Sequence, residues 1–316
     1  MTVDYTPWYI FVKDIYFIQL NQKNMDVSIF GATGQQGAAV VREALRKGHK
    51  VRAVARSKEK IDSHYGTEVE SVEADFNDTQ SIINAIDGQD AAFIHLPNPS
   101  NIHEPTKWIS NLIEALHKTS LSLLVFTTSG PTGSRYPQKQ SIVGNSNLAQ
   151  TLLKLKLPTV VLMPTLYLEN LQVPIIVPKL SEGILDYPAS KSNKKIMWTS
   201  HQDQAKIAVA AFEKPELAGK SYEIATPSAK TGIELANLLT NYVGKPVEFI
   251  ETTANDFANR VKEAFPDAEL SEILAGTYQA IEELENDEMV IDTDQIEKIF
   301  EVKLTNIEDH ISSWKN

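Results

Sequence analysis

The chain has 316 residues, of which 42% are hydrophobic and 22% are charged, and its formal net charge is −11. This length and apolar content are sufficient for one large α/β domain with a smaller lobe, and they exclude a disordered chain. The absence of cysteine excludes disulfides, thiolate metal ligands and a cysteine nucleophile, and it agrees with a cytoplasmic protein. Residues 251–316 hold 17 acidic and 5 basic residues, so we expect no direct binding of nucleic acid or of membranes.

Six short runs rich in β-branched residues alternate with helical patterns from Asp26 onward. This alternation is typical of βαβ units, so it predicts an α/β fold with a Rossmann-type doubly wound parallel sheet. The predicted strands are Val27–Phe30, Lys50–Ala55, Val69–Glu73, Ala91–Leu96, Leu123–Thr127 and Thr159–Met163.

A glycine-rich turn follows the first predicted strand. In VSIFGATGQQGAAVV, residues 27–41, the glycines are Gly31, Gly34 and Gly37. The first glycine permits a sharp turn, the second lets the backbone approach a diphosphate, and the third lets the helix pack against the strand. The free N–H groups at the start of the helix then bind phosphates. The turn therefore predicts a dinucleotide-binding site.

The end of the second predicted strand distinguishes between the two nicotinamide cofactors. NAD-specific sites carry a carboxylate there, which accepts a hydrogen bond from the ribose 2′-OH, whereas this chain has Ala55 followed by Arg56. A guanidinium offers paired donors to a phosphate, so we expect Arg56, Ser57 and Lys60 to meet a 2′-phosphate. The sequence thus predicts that NADP(H) is preferred over NAD(H).

The regular alternation weakens after Met163. The following predicted elements are a strand at Lys195–Thr199, a helix at Asp203–Phe212, a strand around Tyr222–Ala225, a helix at Gly232–Val243 and a strand at Val247–Glu251. They indicate a smaller C-terminal α/β lobe that closes over the sheet edge.

We divide the chain into three parts on this basis. Residues 1–24 are an N-terminal extension that we predict to be dispensable for cofactor binding, residues 25–165 are an NAD(P)-binding Rossmann domain, and residues 166–316 are mainly a substrate lobe with some segments returning to the Rossmann sheet. The extension holds the aromatic stretch WYIFVKDIYFIQL, but Lys13 and Asp14 interrupt it and no cleavage site frames it, which argues against a signal peptide.

Several segments resemble one known group of proteins. GATGQQG, VRAVAR, ADFND, FTTSG, MPTLYLENL, WTSHQDQAKIA and GKSYEIATP are similar to the NmrA-like, atypical branch of the short-chain dehydrogenase/reductases. The resemblance covers about residues 25–305. It implies either NADPH-dependent reduction of quinones, dyes or related acceptors, or regulation that senses the cofactor.

The resemblance also implies roles for individual residues. Residues of the turn would hold the diphosphate, Asp75 and Phe76 would flank the adenine, and Pro164 and Tyr167 would close on the nicotinamide. The predicted cofactor-binding residues are Gly31, Thr33, Gly34, Gln35, Gln36, Gly37, Arg56, Ser57, Lys60, Asp75, Phe76, Leu96, Pro97, Asn98, Pro164 and Tyr167. The predicted substrate pocket consists of Ser129, Tyr136, Tyr167, Asn170 and Trp198.

The catalytic pair of the wider superfamily is missing from its usual place. That pair is Tyr-x-x-x-Lys on one helix, where the lysine lowers the pKa of the tyrosine. In SIVGNSNLAQTLLKLK, with a helix predicted to begin near Ser146, the position that resembles the lysine is Asn145. Tyr187 and Lys191 match in spacing but follow the sixth strand, and Pro188 keeps Tyr187 extended, so we predict that this pair lies on a loop.

No other residue could be assigned a catalytic role from the sequence. We interpret His201 as a polar residue at a strand edge and His95 as packed beneath the nicotinamide path, and no His, Asp and Glu have the spacing of metal ligands. The chain is thus interpreted as an NADP(H)-dependent oxidoreductase that transfers a hydride to a quinone or similar conjugated small-molecule acceptor. A non-catalytic NADP-sensing regulatory protein is the alternative, and a homodimer or a regulatory protein partner is compatible with either.

Overall fold

The structure is a computed structural model and describes residues 24–97, 104–264, 268–285 and 288–314. Its strands are β1 (Asp26–Phe30), β2 (Lys50–Ala55), β3 (Glu70–Glu73), β4 (Ala91–Ile94), β5 (Leu123–Thr127), β6 (Thr159–Pro164), β7 (Leu166–Tyr167), β8 (Ile184–Leu185), β9 (Trp198–Thr199), β10 (Lys220–Ile224) and β11 (Glu248–Phe249).

The α-helices are α1 (Gln35–Arg46), α2 (Lys58–Tyr65), α3 (Thr79–Ile86), α4 (Glu104–Lys118), α5 (Gln140–Leu153), α6 (Val177–Glu182), α7 (His201–Phe212), α8 (Gly232–Val243), α9 (Ala254–Ala264), α10 (Ala268–Glu282), α11 (Thr293–Phe300) and α12 (Ile307–Ser313). Short 3-10 helices cover Leu168–Gln172 and Pro215–Leu217. No helix in the described ranges is long and apolar enough to span a membrane.

Seven strands form one sheet in the order β10-β6-β5-β4-β1-β2-β3, and every neighbouring pair is parallel. The strand order reverses between β1 and β4, which is the place where ligands bind in such sheets. The predicted Rossmann-type doubly wound sheet is confirmed. The strand predicted at Tyr222–Ala225 is β10, which extends the six-stranded prediction as a seventh strand beside β6.

Helices cover both faces of this sheet. Leu123 and Val125 of β5 join a core with α1, α2, α7 and α11, whereas Leu124 and Phe126 join a core with α3, α4 and α5. Successive side chains of a strand point to opposite faces, so a strand that is buried throughout must be covered on both.

A third apolar core lies outside the sheet and is rich in aromatic residues. It contains Tyr187, Trp198, Phe257 and Tyr278, with aliphatic residues of α8, α10 and α12. The paired strands β8 and β11 lie beside it, and β7 pairs with β9. This core forms the smaller C-terminal lobe, while the domain boundary at residue 165 stays a prediction.

Some element bounds differ from those predicted. The strand at Ala91–Leu96 ends at Ile94, because His95 leaves the sheet and packs against the glycine turn. Only Trp198 and Thr199 of the run Lys195–Thr199, and only Glu248 and Phe249 of Val247–Glu251, form strands.

The helix predicted to begin near Ser146 begins at Gln140 instead. Gly144 and Asn145 are poor helix formers, but Ile142, Leu148 and Leu152 are buried, and this packing outweighs intrinsic propensity.

Candidate functional site

The glycine turn between β1 and α1 has the geometry that its three glycines predict. Gly31 has φ of 68°, in the left-handed region that favours glycine, and a Cβ there would lie 2.2 Å from Nε2 of His95. A Cβ on Gly37 would lie 2.3 Å from the carbonyl oxygen of Gly31, so the third glycine lets helix and turn touch. A Cβ on Gly34 would meet only that same oxygen, at 3.3 Å. Gly34 therefore leaves the outer side of the turn open.

The start of α1 offers unused hydrogen-bond donors. Its N-cap is Gly34, which supplies no side-chain cap, and the first turn carries no acidic residue. No described residue accepts a hydrogen bond from the N–H groups of Gln35, Gln36 or Gly37. Such groups, with the positive end of the helix dipole, bind anions. The turn therefore fits the diphosphate of a dinucleotide, with Thr33 half-buried and Gln35 exposed beside it.

The end of β2 presents a free cation. Arg56 is exposed, and its side chain makes no ion pair or hydrogen bond with any residue that the structure describes. The hydroxyl of Ser57 caps α2 by accepting from the N–H of Lys60 at 3.2 Å, and it donates to Glu59 at 2.9 Å. Arg56 is thus available to a 2′-phosphate, whereas Ser57 also has a structural role.

The residues predicted beside the adenine and the ribose lie along neighbouring strand ends. Asp75 is exposed after β3 and accepts from the N–H of Asn77 at 2.8 Å, while the ring of Phe76 lies 5.6 Å from that of Phe30. Leu96 and Pro97 follow β4 and are half-buried. Asn98 lies outside the described residues, and Pro164 is buried at the end of β6.

A buried polar network joins the glycine turn to the segment after β6. The hydroxyl of Tyr167 lies 2.8 Å from Oε1 of Gln36 and 2.7 Å from Oε1 of Gln204, so its single proton serves one acceptor at a time. Gln204 also accepts from the hydroxyl of Thr127 at 3.1 Å. The hydroxyl of Ser129 lies 3.3 Å from the amide nitrogen of Gln36. Burial raises the pKa of Tyr167, so its hydroxyl keeps its proton at neutral pH.

The other residues predicted for the substrate pocket lie with the aromatic core. Asn170 donates to the hydroxyl of Tyr187 at 3.2 Å, and Trp198, which is 1% exposed, packs edge-on against the Tyr187 ring. Tyr136 is buried in the same core. The structure therefore brings Gln36, Ser129 and Tyr167 together and places Asn170 and Trp198 around Tyr187.

Comparison with known proteins identifies the family. A model described as the NmrA-like family matches residues 23–312. The chain belongs to the NmrA-like family. This NmrA-like protein is 24% identical over 259 residues to quinone oxidoreductase 2 of Escherichia coli (strain K12). The aligned segment covers 79% of this chain and 85% of that protein.

Two further comparisons agree with this family. The NmrA-like protein is 23% identical over 235 residues to the NAD(P)H azoreductase of Xenophilus azovorans, covering 72% of this chain and 77% of that protein. Its structure resembles that of an NADPH-dependent quinone oxidoreductase from Escherichia coli complexed with NADPH, with a TM-score of 0.74, 22% identity and coverage of 92% of this chain and 100% of the other. The structural likeness shows the fold.

Tyr187 and Lys191 lie on a loop of the NmrA-like protein, as predicted. The hydroxyl of Tyr187 is 2.5 Å from that of Tyr278, whereas Nζ of Lys191 is 3.3 Å from Glu282, so the two side chains have different partners. Asn145, which the sequence predicts to stand where the superfamily has its lysine, donates to the carbonyl of Thr128 at 3.4 Å. Neither arrangement brings an ammonium group to a tyrosine.

One buried pair of this NmrA-like protein, Glu169 and His201, could not be predicted from the sequence. The ring of His201 lies 4.4 Å from that of Tyr167, measured between centroids, and its backbone N–H donates to Oε1 of Glu169 at 3.0 Å. Residues 169 and 201 have no common motif. β7 pairs with β9 in the register Leu166 to Trp198 and Tyr167 to Thr199. The segments that follow these two strands, a 3-10 helix that contains Glu169 and the first turn of α7 that contains His201, therefore lie side by side. This pairing could be found only from the fold.

Proposed function

We propose that this chain is an NADPH-dependent reductase that transfers a hydride to a quinone or a similar conjugated acceptor. Its family relatives include a quinone oxidoreductase and an azoreductase, which support an NAD(P)H-dependent reductase. The proposal goes further in two respects, the preference for NADP(H) and the class of acceptor.

The observation that carries the proposal is the junction at Gln36. The backbone N–H of Gln36 is one of the unused donors of the glycine turn, and its side chain meets the hydroxyl of Tyr167 at 2.8 Å. A single residue therefore links the diphosphate position to the polar end of the predicted pocket. When bound there, the nicotinamide would supply a hydride.

The protein contributes binding, orientation and a dry surface to this reaction. The turn and Arg56 would bind the two phosphate regions, and Tyr167, Gln204 and Thr127 are buried polar groups that fix the position of Gln36. Hydride transfer depends mainly on such orientation, because the cofactor carries the chemistry. In the described part of the chain, no group of three or more His, Asp or Glu is placed to hold a metal ion.

The test is NADPH oxidation against a panel of quinones, azo dyes and aldehydes. We expect quinones to be reduced and aldehydes to be inert, since the Tyr-x-x-x-Lys acid is missing from its usual place, where Asn145 stands at the position that resembles the lysine. Reduction of aldehydes as fast as quinones would overturn the proposed acceptor class. Tight binding of NADPH without oxidation by any member of the panel would instead support the cofactor-sensing regulator.

A further inference from the structure

Glu169 and His201 form a carboxyl–imidazole pair beside Tyr167. Oε2 of Glu169 is sealed from solvent, has no hydrogen-bond partner among the described residues, and lies 3.5 Å from Nδ1 of His201. Oε1 of the same carboxyl accepts from the backbone N–H of His201 at 3.0 Å. One carboxyl oxygen is thus fixed in place while the other faces the imidazole.

The pair lies next to the proposed cofactor site. The ring of His201 packs against Tyr167, which reaches Gln36 of the glycine turn. His95, whose Nε2 packs against Gly31, faces His201 closely enough that its charge would lower the pKa of His201. Among the described residues nothing hydrogen-bonds to Nε2 of His201, so that nitrogen is available to a bound molecule.

The surroundings keep His201 neutral near pH 7 and bring the titration of the Glu169 carboxyl into that range. Burial raises the pKa of Glu169 to about 7, with Asp203 acting in the same direction and His310 and the His201 N–H against it. Burial also lowers the pKa of His201 to about 3. A neutral imidazole carries one N–H and one acceptor nitrogen, so it can receive a proton on one side and release one from the other.

We propose that His201 and Glu169 deliver the proton that a quinone-like acceptor needs when it takes up a hydride. His201 donates from Nε2, and Glu169 supplies a replacement proton to Nδ1. This inference rests on the proposed function. It makes His201 the group that touches the acceptor and Glu169 the group that acts through His201.

The proton and electron balance is complete for such an acceptor. A quinone that gains a hydride from the nicotinamide is reduced by two electrons and becomes a hydroquinone monoanion, while the nicotinamide is oxidised. Its oxygen then forms an O–H bond as the Nε2–H bond of His201 breaks. The Glu169 O–H bond breaks as an Nδ1–H bond forms, which leaves a carboxylate and an Nε2 without its proton. After the product leaves, Nε2 takes up a proton from solvent as the Nδ1–H bond breaks and its proton returns to the Glu169 carboxylate. The separation of 3.5 Å must shorten for this step, as catalytic hydrogen bonds commonly do when a substrate binds.

The first experiment observes the carboxyl without any acceptor or turnover. In protein labelled with ¹³C-glutamate, NMR should show one carboxyl that titrates near pH 7 and that disappears in Glu169→Gln, a change that keeps the oxygen accepting from the His201 N–H. Glu213→Gln is the matched control. Glu213 follows the C-terminal end of α7, and its Oε1 lies 3.6 Å from Nε2 of His49. The control substitution therefore alters a second carboxyl–imidazole pair that lies away from the site. Absence of a carboxyl titrating near pH 7 would overturn the inference.

The second experiment compares acceptors that differ in their need for a proton. A cationic triarylmethane dye becomes neutral on gaining a hydride and takes no proton, whereas a quinone requires one. We expect Glu169→Gln and His201→Phe, which keeps a ring against Tyr167, to slow quinone reduction roughly a hundredfold and to slow dye reduction at least about tenfold less than that. Wild-type quinone turnover should fall as the pH rises above about 7, where Glu169 loses its proton, and Glu169→Gln should abolish that fall.

The outcomes separate this inference from the proposed function. Equal slowing of quinone and dye would mean that the pair is structural, and unchanged quinone turnover would mean that it supplies no proton. Either result overturns the inference alone. If the dye is not a substrate, the pH profile of quinone reduction decides. A wild-type protein that reduces neither acceptor would refute the proposed function itself.

Discussion

At the scale of single residues, we propose that Arg56 determines which nicotinamide cofactor the protein prefers. It is exposed at the carboxyl end of β2 without a described partner, where an NAD site would carry an acid. We expect NADPH to bind at least about tenfold more tightly than NADH, or about 1.4 kcal/mol, and Arg56→Ala to remove most of that difference. Titration of both cofactors against wild type and variant measures it.

Lys50→Ala is the control for this prediction. Lys50 is an exposed cation at the opposite end of the same strand, 3.6 Å from Asp26, so its removal changes the net charge equally but leaves the site intact. The control should keep the preference for NADPH. Equal affinities of wild type for the two cofactors, or an equal loss in both variants, would refute the role of Arg56.

The proximity of the residues proposed to bind the cofactor could be predicted because they follow the ends of neighbouring strands. Gly31, Gly34, Gly37 and Arg56 lie at the ends of consecutive strands, and a parallel sheet brings such ends to one edge. Glu169 and His201 could not be predicted in this way. Their contact depends on the register of two-residue strands, which no periodicity in the sequence reports.

At the scale of elements, the second and third glycines of the turn should separate binding from folding. Gly37→Ala would place a Cβ 2.3 Å from the Gly31 carbonyl, and we expect it to lower the free energy of unfolding by about 1–3 kcal/mol. Gly34→Ala keeps an allowed backbone, with φ of −97°, so it should fold normally. Its methyl group would occupy the approach of the diphosphate and weaken NADPH binding at least about tenfold.

Urea denaturation and NADPH titration of both variants measure these two effects. Each variant serves as the control for the other, because both add one methyl group within the same turn. Loss of stability in Gly34→Ala as large as in Gly37→Ala would contradict the assignment of distinct roles.

The loop that carries Tyr187 should matter for stability and not for turnover. Tyr187→Phe removes a buried hydroxyl that contacts Tyr278 and Asn170, so we expect a loss of about 1–3 kcal/mol in the free energy of unfolding. Turnover should stay within about threefold of wild type, a barrier change of roughly 0.65 kcal/mol.

Tyr167→Phe is the matched contrast, since it removes a buried hydroxyl that meets Gln36 at the proposed site. We expect it to lower turnover at least about tenfold. Steady-state kinetics measure the turnover of both variants, and urea denaturation measures their free energies of unfolding. A hundredfold fall in kcat for Tyr187→Phe with unchanged NADPH affinity would show that the Tyr187 and Lys191 pair works from its loop.

The elements themselves were predictable to different degrees. β2, β5 and α8 have the predicted bounds because their apolar patterns are unbroken and turn residues flank them. β9 and β11 are only two residues long, and tertiary contacts rather than local patterns define them. The aromatic core, too, gathers residues from 136 to 311, a separation over which a sequence pattern carries no information.

At the scale of the whole molecule, Asp203 connects the sheet to the C-terminal lobe. It lies on α7, which packs in a core of the sheet, and its carboxylate is 3.0 Å from Nε2 of His310 on α12, which packs in the aromatic core. It also accepts from the hydroxyl of Thr226 at 2.8 Å and from Nζ of Lys206 at 2.8 Å. The Asp203 side chain is fully buried, whereas that of Lys206 is 20% exposed, so the carboxylate itself has no access to water.

The charge of Asp203 should make the stability of the whole protein depend on acid pH. Burial alone would raise the pKa of this carboxyl, but the hydrogen bonds and charges of His310 and Lys206 outweigh burial and hold it below the ordinary value of 3.8. A carboxyl whose pKa is lower in the folded state stabilises the protein above its unfolded pKa, and that stabilisation is lost as the pH falls through the folded value. The contribution of Asp203 is therefore complete at neutral pH and disappears only in strong acid.

Asp203→Ala should test this connection directly. The variant leaves His310 and Lys206 without their shared carboxylate, so we expect the free energy of unfolding at pH 7 to fall by about 3–5 kcal/mol. The gap between wild type and variant should narrow as the pH falls below about 3.8, because Asp203 then takes up a proton in the unfolded chain while the folded protein still holds it ionised. Asp294→Ala, which removes an exposed carboxylate of α11, should cost less than about 1 kcal/mol. Urea denaturation across this pH range measures the difference in the free energy of unfolding between wild type and variant. A difference that stayed constant would contradict the role of Asp203, because the loss of packing alone does not depend on pH. The loss of a buried carboxylate that holds two cores together must depend on pH.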